Sequence, residues 1–335
     1  MPTEPSVIVR RDGRAGRILL NRPQALNALD LDMIRVLSRV LTKWHDDPHV
    51  HVVVIEGAGD RAFCAGGDIR ALRDAQLAGN RPAADAFFSE EYALNRMIAA
   101  YPKPYVALID GICMGGGIGV SVHAPYRVAT ENAMFAMPET AIGFFPDIGA
   151  TFFLPRLPGR IGTWLGLTGA RVRGADAVHA GFGTHFTPRA QLVALSAALA
   201  QEGAAALAQF AAPLPPFSMA AQRDAIDTCF AGATVPEIVR RLEADGSDWA
   251  SQALAMLRTV SPSALCWTLT ALQRGADLTL PLALDAEFAL THTAMAHPDF
   301  AEGVRAMVVD KDRKPRWQPA RIEDVDPAAI ATMFK

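Results

Sequence analysis

Cysteine, net charge and long apolar runs are all scarce in this chain of 335 residues, and each scarcity excludes something. The four cysteines, Cys64, Cys113, Cys229 and Cys266, stand far apart. They offer neither the paired spacing of a zinc site nor a dense disulfide framework, so no metal is expected and the thiols read as reduced, in a cytoplasmic setting. A formal net charge of -3 supplies no broad basic field, which argues against nucleic acid as a partner. No uninterrupted apolar run reaches the length of a membrane span, so no membrane partner is expected. The first residues, Met-Pro-Thr-Glu-Pro-Ser, show neither a basic-then-apolar leader nor an Arg-rich one. Hydrophobic residues make up 50% of the chain, enough for a large core in one big domain or two smaller ones.

The order of elements reads as α/β. Val7–Arg10 and Arg17–Leu20 flank Asp12-Gly13 as two strands, and Ile34, Leu37, Leu41 and Trp44 recur at helical spacing, predicting a helix over 31–46. His51–Ile55 is short, β-branched and bounded by turn residues, as buried strands are, and Tyr105–Ile109 and Tyr126–Ala129 read as further strands. A helical stretch over 83–99 separates the first two of these. Beyond about residue 187 the pattern is helical, with stretches at 188–201, 218–230, 234–243, 263–274 and 281–296. The Ala- and Pro-rich segment Ala204–Pro216 reads as a linker. The division expected is therefore a catalytic core over 1–203 and a helical region over 204–335.

Three segments carry chemistry. Phe63-Cys-Ala-Gly-Gly-Asp68 and Gly111-Ile-Cys-Met-Gly-Gly-Gly117 each follow a predicted strand and precede a helix. Glycine lets backbone N–H groups approach a ligand, and two such turns together can hold one oxygen as an oxyanion hole. Taken singly, each cluster is better explained by tight packing. The third segment, Phe135–Asp147, is apolar and broken by Pro138, Gly143 and Pro146, yet holds Glu139 and Asp147. Carboxylates in such surroundings are candidates for acid/base or nucleophilic work. Asp68 reads as a helix cap, and His123, Cys64 and Cys113 as packed side chains. Arg22, Arg70 and Arg156 are candidates for phosphate contacts, none of them assigned. The charged run Asp310–Arg316 reads as a solvated turn.

In this order, Ala62-Phe-Cys-Ala-Gly-Gly-Asp-Ile69, Met114-Gly-Gly-Gly117 and Phe135-Ala-Met-Pro-Glu139 resemble the crotonase superfamily of acyl-CoA enzymes, as do Asn21-Arg-Pro23 and Leu26-Asn-Ala-Leu29. The resemblance implies a spiral core of repeated β-β-α units followed by a C-terminal helical region. It also implies an acyl-CoA substrate whose thioester oxygen is held by the N–H groups of Gly67 and Gly116. No separate cofactor is implied, since coenzyme A is part of the substrate, and homo-oligomerisation stays open. Hydratases of the superfamily use a second glutamate two residues after the glycine triplet, where this chain has Gly119. Glu90-Glu-Tyr-Ala-Leu94, Phe145-Pro-Asp147, Phe152-Phe-Leu-Pro-Arg156 and Asp299-Phe-Ala-Glu-Gly-Val-Arg305 resemble instead the superfamily's 3-hydroxyisobutyryl-CoA hydrolase branch, active in valine breakdown. That branch implies catalytic roles for Glu139 and Asp147, and a substrate pocket of Glu91, Gly116, Glu139 and Asp147. Glu91 alone reads equally well as a solvated helix carboxylate. Two alternatives remain, an enoyl-CoA hydratase/isomerase and a non-catalytic acyl-CoA binding protein.

Overall fold

The computed structural model describes residues 4–334. Among the described residues ten strands occur in the order β1 Val7–Asp12, β2 Ala15–Leu20, β3 Val52–Gly57, β4 Ala62–Cys64, β5 Tyr105–Ile109, β6 Ile112–Met114, β7 Tyr126–Ala129, β8 Met134–Ala136, β9 Val172–Arg173 and β10 His185–Phe186. Six of them form one sheet in the order β1-β2-β3-β5-β7-β10 and four form another, β4-β6-β8-β9. The pairs β3/β4, β5/β6 and β7/β8 each send their first strand to the larger sheet and their second to the smaller one. This repeated splitting is the expected run of β-β-α units, and the mixed α/β class is the one observed. Apart from the opening hairpin of β1 and β2, the ladders of the larger sheet are parallel. Parallel strands are buried on both faces, which is why they read as unbroken apolar runs.

The chain forms two compact units interleaved along the sequence. One comprises Met1–Asp68, Ser89–Phe135 and Val172–Phe217; the other comprises Ile69–Phe88, Ala136–Arg171 and Ser218–Lys335. The expected division between 203 and 204 differs from this, because compactness follows contacts in space and the chain leaves and re-enters each unit.

In the first unit, Val52 and Val54 of β3, Val106 and Leu108 of β5 and Val128 of β7 present one face of the large sheet. Residues two apart share a face of a strand, so this set is dictated by the pleat. Leu195, Leu199 and Ala200 of the helix Leu192–Glu202 cover it, joined by Ala206 and Leu207. The proposed linker Ala204–Pro216 is therefore corrected in its first half. Residues 203–210 form short helical turns, and two of their side chains belong to the core. Helical alanines carry as much buried area as a small core needs, and composition alone does not separate them from a tether. The stretch Arg189–Phe210 is also long and apolar enough, by length and composition, to cross a membrane. Its inward face is occupied by the sheet contacts just named.

The second unit is built on helices that include Ile161–Thr168, Val235–Asp245, Asp248–Leu257, Pro262–Gly275 and Leu280–Ala296. Thr234, Ser247 and Ser261 each cap the following helix by accepting from a backbone N–H three residues on. The helix Asp248–Leu257 was not expected, since its Ala-rich sequence shows weak periodicity.

Candidate active site

The first glycine turn is held by a loop that precedes it. Asn27, fully buried with φ 57, donates to the carbonyls of Ala58 and Ala62 and accepts from the Arg22 N–H. The adjoining backbone is zipped to the turn: Ala65 N–H donates to Leu26 O, Leu29 N–H to Gly66 O and Asp68 N–H to Leu29 O. Gly67 N–H is passed over in this pattern and makes no hydrogen bond among the described residues.

Strand register brings the second turn alongside. β4 and β6 run parallel with Cys64 opposite Cys113. Gly67 and Gly116 each lie three residues beyond their paired cysteine, so parallel pairing carries them to neighbouring positions. Gly116 opens the helix Gly116–Val122, where the first N–H groups have no partner inside the helix. A Cβ on Gly116 would stand 3.4 Å from the Gly67 nitrogen. Two backbone N–H groups thus lie close together, and a pair of such donors can stabilise a developing oxyanion where both point at it.

Glu91 borders this space. It is 2% exposed, and its Oε1 lies where a side chain on Gly116 would be, 2.4 Å from that Cβ position. Placement against Gly116 is at odds with the solvated-helix reading of Glu91. One helical turn further on, Asn95 is fully buried with neither amide atom hydrogen-bonded among the described residues. Sequence reasoning missed Asn95; its offset of four residues from Glu91 was the available signal. Cys64 and Cys113 are fully buried, and burial pushes the Cys64 thiol up to about 12 and the Cys113 thiol well above its ordinary value. Neither is a nucleophile under ordinary conditions.

Glu139 and Asp147 both belong to the second unit and are both 7% exposed. Glu139 begins a short 3-10 turn, Glu139–Ile142, that ends at Gly143 in the left-handed region with φ 65. A Cβ on Gly143 would collide with the Asp299 backbone at 2.3 Å, and one on Gly303 with Ile142 at 2.5 Å. The motif Asp299–Arg305 therefore braces the turn that carries Glu139. Behind it, Phe144 stacks on Phe145 and Phe88 and lies against Phe300. In this aromatic setting Glu139 Oε2 has no hydrogen-bond partner among the described residues. Burial, reinforced by the neighbouring Asp147 charge, pushes the Glu139 carboxyl well above the usual carboxylate range.

A further buried carboxylate, not anticipated from sequence, lies within electrostatic reach of Asp147. Glu287, 1% exposed on the helix Leu280–Ala296, accepts from Gly149 N–H at 2.6 Å, Thr151 N–H at 2.8 Å and Thr151 Oγ1 at 2.6 Å. Burial pushes it up to about 8, against the opposing pull of these three donors.

The arginine candidates separate clearly. Arg22 is engaged by Asp30, Asp68 and the Ala28 carbonyl. Arg156 lies over the Phe152 ring and donates to the carbonyls of Phe152 and Leu278. Arg70 is exposed and donates to the Val308 carbonyl. The run Asp310–Arg316, expected as a solvated turn, wraps around Arg305, which pairs with Glu302, Asp310 and Asp312.

Residues 15–334 match the family described as enoyl-CoA hydratase/isomerase. The 3-hydroxyisobutyryl-CoA hydrolase, mitochondrial, of Xenopus laevis is 47% identical over 98% of this chain and 88% of its own length. Among solved structures, a carnitinyl-CoA dehydratase from Mycobacterium thermoresistibile superposes with a TM-score of 0.95 at 39% identity, over 99% of this chain and 97% of the other. An enoyl-CoA hydratase from Rhodobacter sphaeroides gives a TM-score of 0.93 at 45% identity, over 98% and 97%. The cytoplasmic expectation is overturned here, since the curated relatives at 43–47% identity are described as mitochondrial. Sparse cysteines distinguish reducing from oxidising surroundings, and they cannot separate one reducing compartment from another.

Proposed function

This chain belongs to the enoyl-CoA hydratase/isomerase family, and from that premise we propose that it hydrolyses a short 3-hydroxyacyl-CoA thioester, 3-hydroxyisobutyryl-CoA being the substrate. The observation that carries the reading is a buried Glu139 with an unpartnered Oε2 and Asp147 as its electrostatic neighbour, while the position two residues past the glycine triplet is Gly119. Hydration of a double bond needs two acid/base groups on opposite duties, and Gly119 supplies neither. Thioester hydrolysis needs one attacking oxygen and a place for the oxyanion. The curated relatives are named for this reaction, whereas the two solved structures are described as a dehydratase and a hydratase. We side with the former on the chemistry of Gly119.

In the proposed reaction the N–H groups of Gly67 and Gly116 hold the thioester oxygen. Ionised Glu139 either attacks the carbonyl carbon, forming a mixed anhydride as the C–S bond breaks, or takes a proton from the water that attacks it. In the first route water then opens the anhydride, regenerating the carboxylate. Both routes release the thiolate of coenzyme A, which takes up a proton, and the free acid. Neither changes an oxidation state, so no cofactor beyond the substrate's own coenzyme A is called for. Asp147 holds the water or bonds the 3-hydroxyl. Glu91, set against Gly116, is assigned to substrate binding by the resemblance to the hydrolase branch. A site with a buried partner for a hydroxyl discriminates strongly against substrates lacking it.

The test follows thiol release with a thiol-reactive chromophore for 3-hydroxyisobutyryl, 3-hydroxypropionyl and unsubstituted acyl thioesters, and enoyl absorbance in parallel. Thiol release fastest with 3-hydroxyisobutyryl-CoA is expected. Loss of enoyl absorbance without thiol release from any of the three would establish the hydratase reading instead.

A further inference from the structure

Asp147 is followed by a turn that the chain does not adopt easily. Ile148 has φ 57, a left-handed conformation that is a genuine outlier for a β-branched residue, and Gly149 follows with φ 84. Strain of this kind persists only where surrounding structure over-determines it, and it clusters at functional sites. Within the turn Ala150 N–H donates to Asp147 O, and the Phe152 and Phe153 N–H groups both donate to Gly149 O. The stronger restraint comes from Glu287, whose two carboxylate oxygens take both Gly149 N–H and Thr151 N–H together with the Thr151 hydroxyl. A second brace is steric, since a Cβ on Gly275 would meet Thr151 O at 2.3 Å. The Thr151 backbone is thus pressed against one helix while Glu287 of another grips it.

We propose that Glu287 is a positioning residue, clamping the turn from Asp147 to Thr151 through these three hydrogen bonds and so setting where the Asp147 carboxylate stands relative to Glu139. Both oxygens of Glu287 accept, so one side chain fixes three donors on two residues of the turn. The kinetic part of this inference rests on the thioesterase reading; the structural part does not. Electrostatics agrees with the placement, since the Asp147 charge raises both Glu139 and Glu287 and therefore lies within reach of each.

Glu287→Gln is the informative substitution. An amide retains one oxygen acceptor but turns the other into an NH2 donor facing an N–H, so at least one bond is lost without loss of volume. Displacement of a reacting group by about 1 Å costs on the order of 100-fold in rate. A fall in kcat of about 10- to 100-fold is expected, with KM for the acyl-CoA held within about threefold. In combination with Asp147→Asn the losses should not add: the double variant is expected within about threefold of Asp147→Asn alone. Additive losses would show that Glu287 acts independently of Asp147 and would overturn the proposal. Hydrogen exchange of the segment 147–153 supplies a readout that needs no substrate. Acceleration confined to that segment in Glu287→Gln is expected, and unchanged exchange refutes the clamp even if the wild-type protein releases no thiol and the thioesterase reading itself has failed. Should Glu287→Gln not fold, Thr151→Val removes only the hydroxyl bond. It is expected to quicken exchange in the same segment, and no change there refutes the clamp equally.

Discussion

Substituting alanine at Gly116 separates the oxyanion geometry from the fold. The added Cβ would lie 2.4 Å from Glu91 Oε1, 3.3 Å from Leu29 Cδ1 and 3.4 Å from the Gly67 nitrogen. The first contact is with the end of a flexible side chain, which can swing away; the second requires a shift of a few tenths of an ångström. The third is the consequential one. An oxyanion must stand 2.7–3.1 Å from each donor, and a methyl group beside the Gly67 nitrogen occupies the approach it would take. Loss of one donor costs about 2.7–4 kcal/mol, or roughly 100- to 1,000-fold in kcat. Stability, in contrast, should change by less than about 1 kcal/mol, because Gly116 does not have a positive φ and alanine is the better helix residue. Gly117→Ala is the contrasting control: its Cβ would strike the Cys64 carbonyl at 2.2 Å, a backbone atom that cannot step aside, and misfolding is expected. The assay is thiol release from 3-hydroxyisobutyryl-CoA beside a thermal melt. A Gly116→Ala protein that melts normally and works within about threefold of wild type would refute the oxyanion assignment.

Glu139→Gln should lower kcat by at least about 100-fold while ligand affinity measured by calorimetry stays within a few-fold, since acid/base participation is typically worth 100- to 10,000-fold. The acid limb of kcat/KM should lie above the usual carboxylate range, because Glu139 must shed its proton to act. Asp147→Asn removes a like charge and should move that limb to lower pH in whatever activity remains. Glu139 and Glu287 both titrate higher in the folded protein than in the unfolded chain, so the folded state retains protons that the unfolded state releases. Their contribution is intact below the ordinary carboxylate value near 4.5 and is lost as pH rises, towards about 8 for Glu287, by at most about 1.4 kcal/mol per pH unit per group. Urea titrations at several pH values check this, and a wild-type profile no steeper than that of Glu139→Gln contradicts it. Asn27→Ala strands the Ala58 and Ala62 carbonyls and the Arg22 N–H, and should cost about 2–4 kcal/mol in the same titration.

Much of this was legible in one dimension. Tyr105–Ile109 and Tyr126–Ala129 were recognisable as strands to the residue, because each is a short run opened by an aromatic residue, holding valine, and set between turn residues. The helix 281–296 lies within one residue of Leu280–Ala296. The three-residue strands β4, β6 and β8 escaped notice, being too short to show a period, although β4 and β6 are what carry the glycine turns side by side.

By itself the sequence determined which residue types were available for chemistry: glycines where N–H groups must be bare, two carboxylates in an apolar stretch, and Gly119 in place of another acid. Those are local properties, set by side-chain chemistry and by backbone freedom within a few residues. Tertiary structure decided what the carboxylates experience. It stripped Glu139 of partners for one oxygen, laid Glu91 against Gly116, and brought Glu287 to Thr151 from 136 residues away. Burial and charge proximity depend on which segments pack together, and no spacing along the chain encodes that distance.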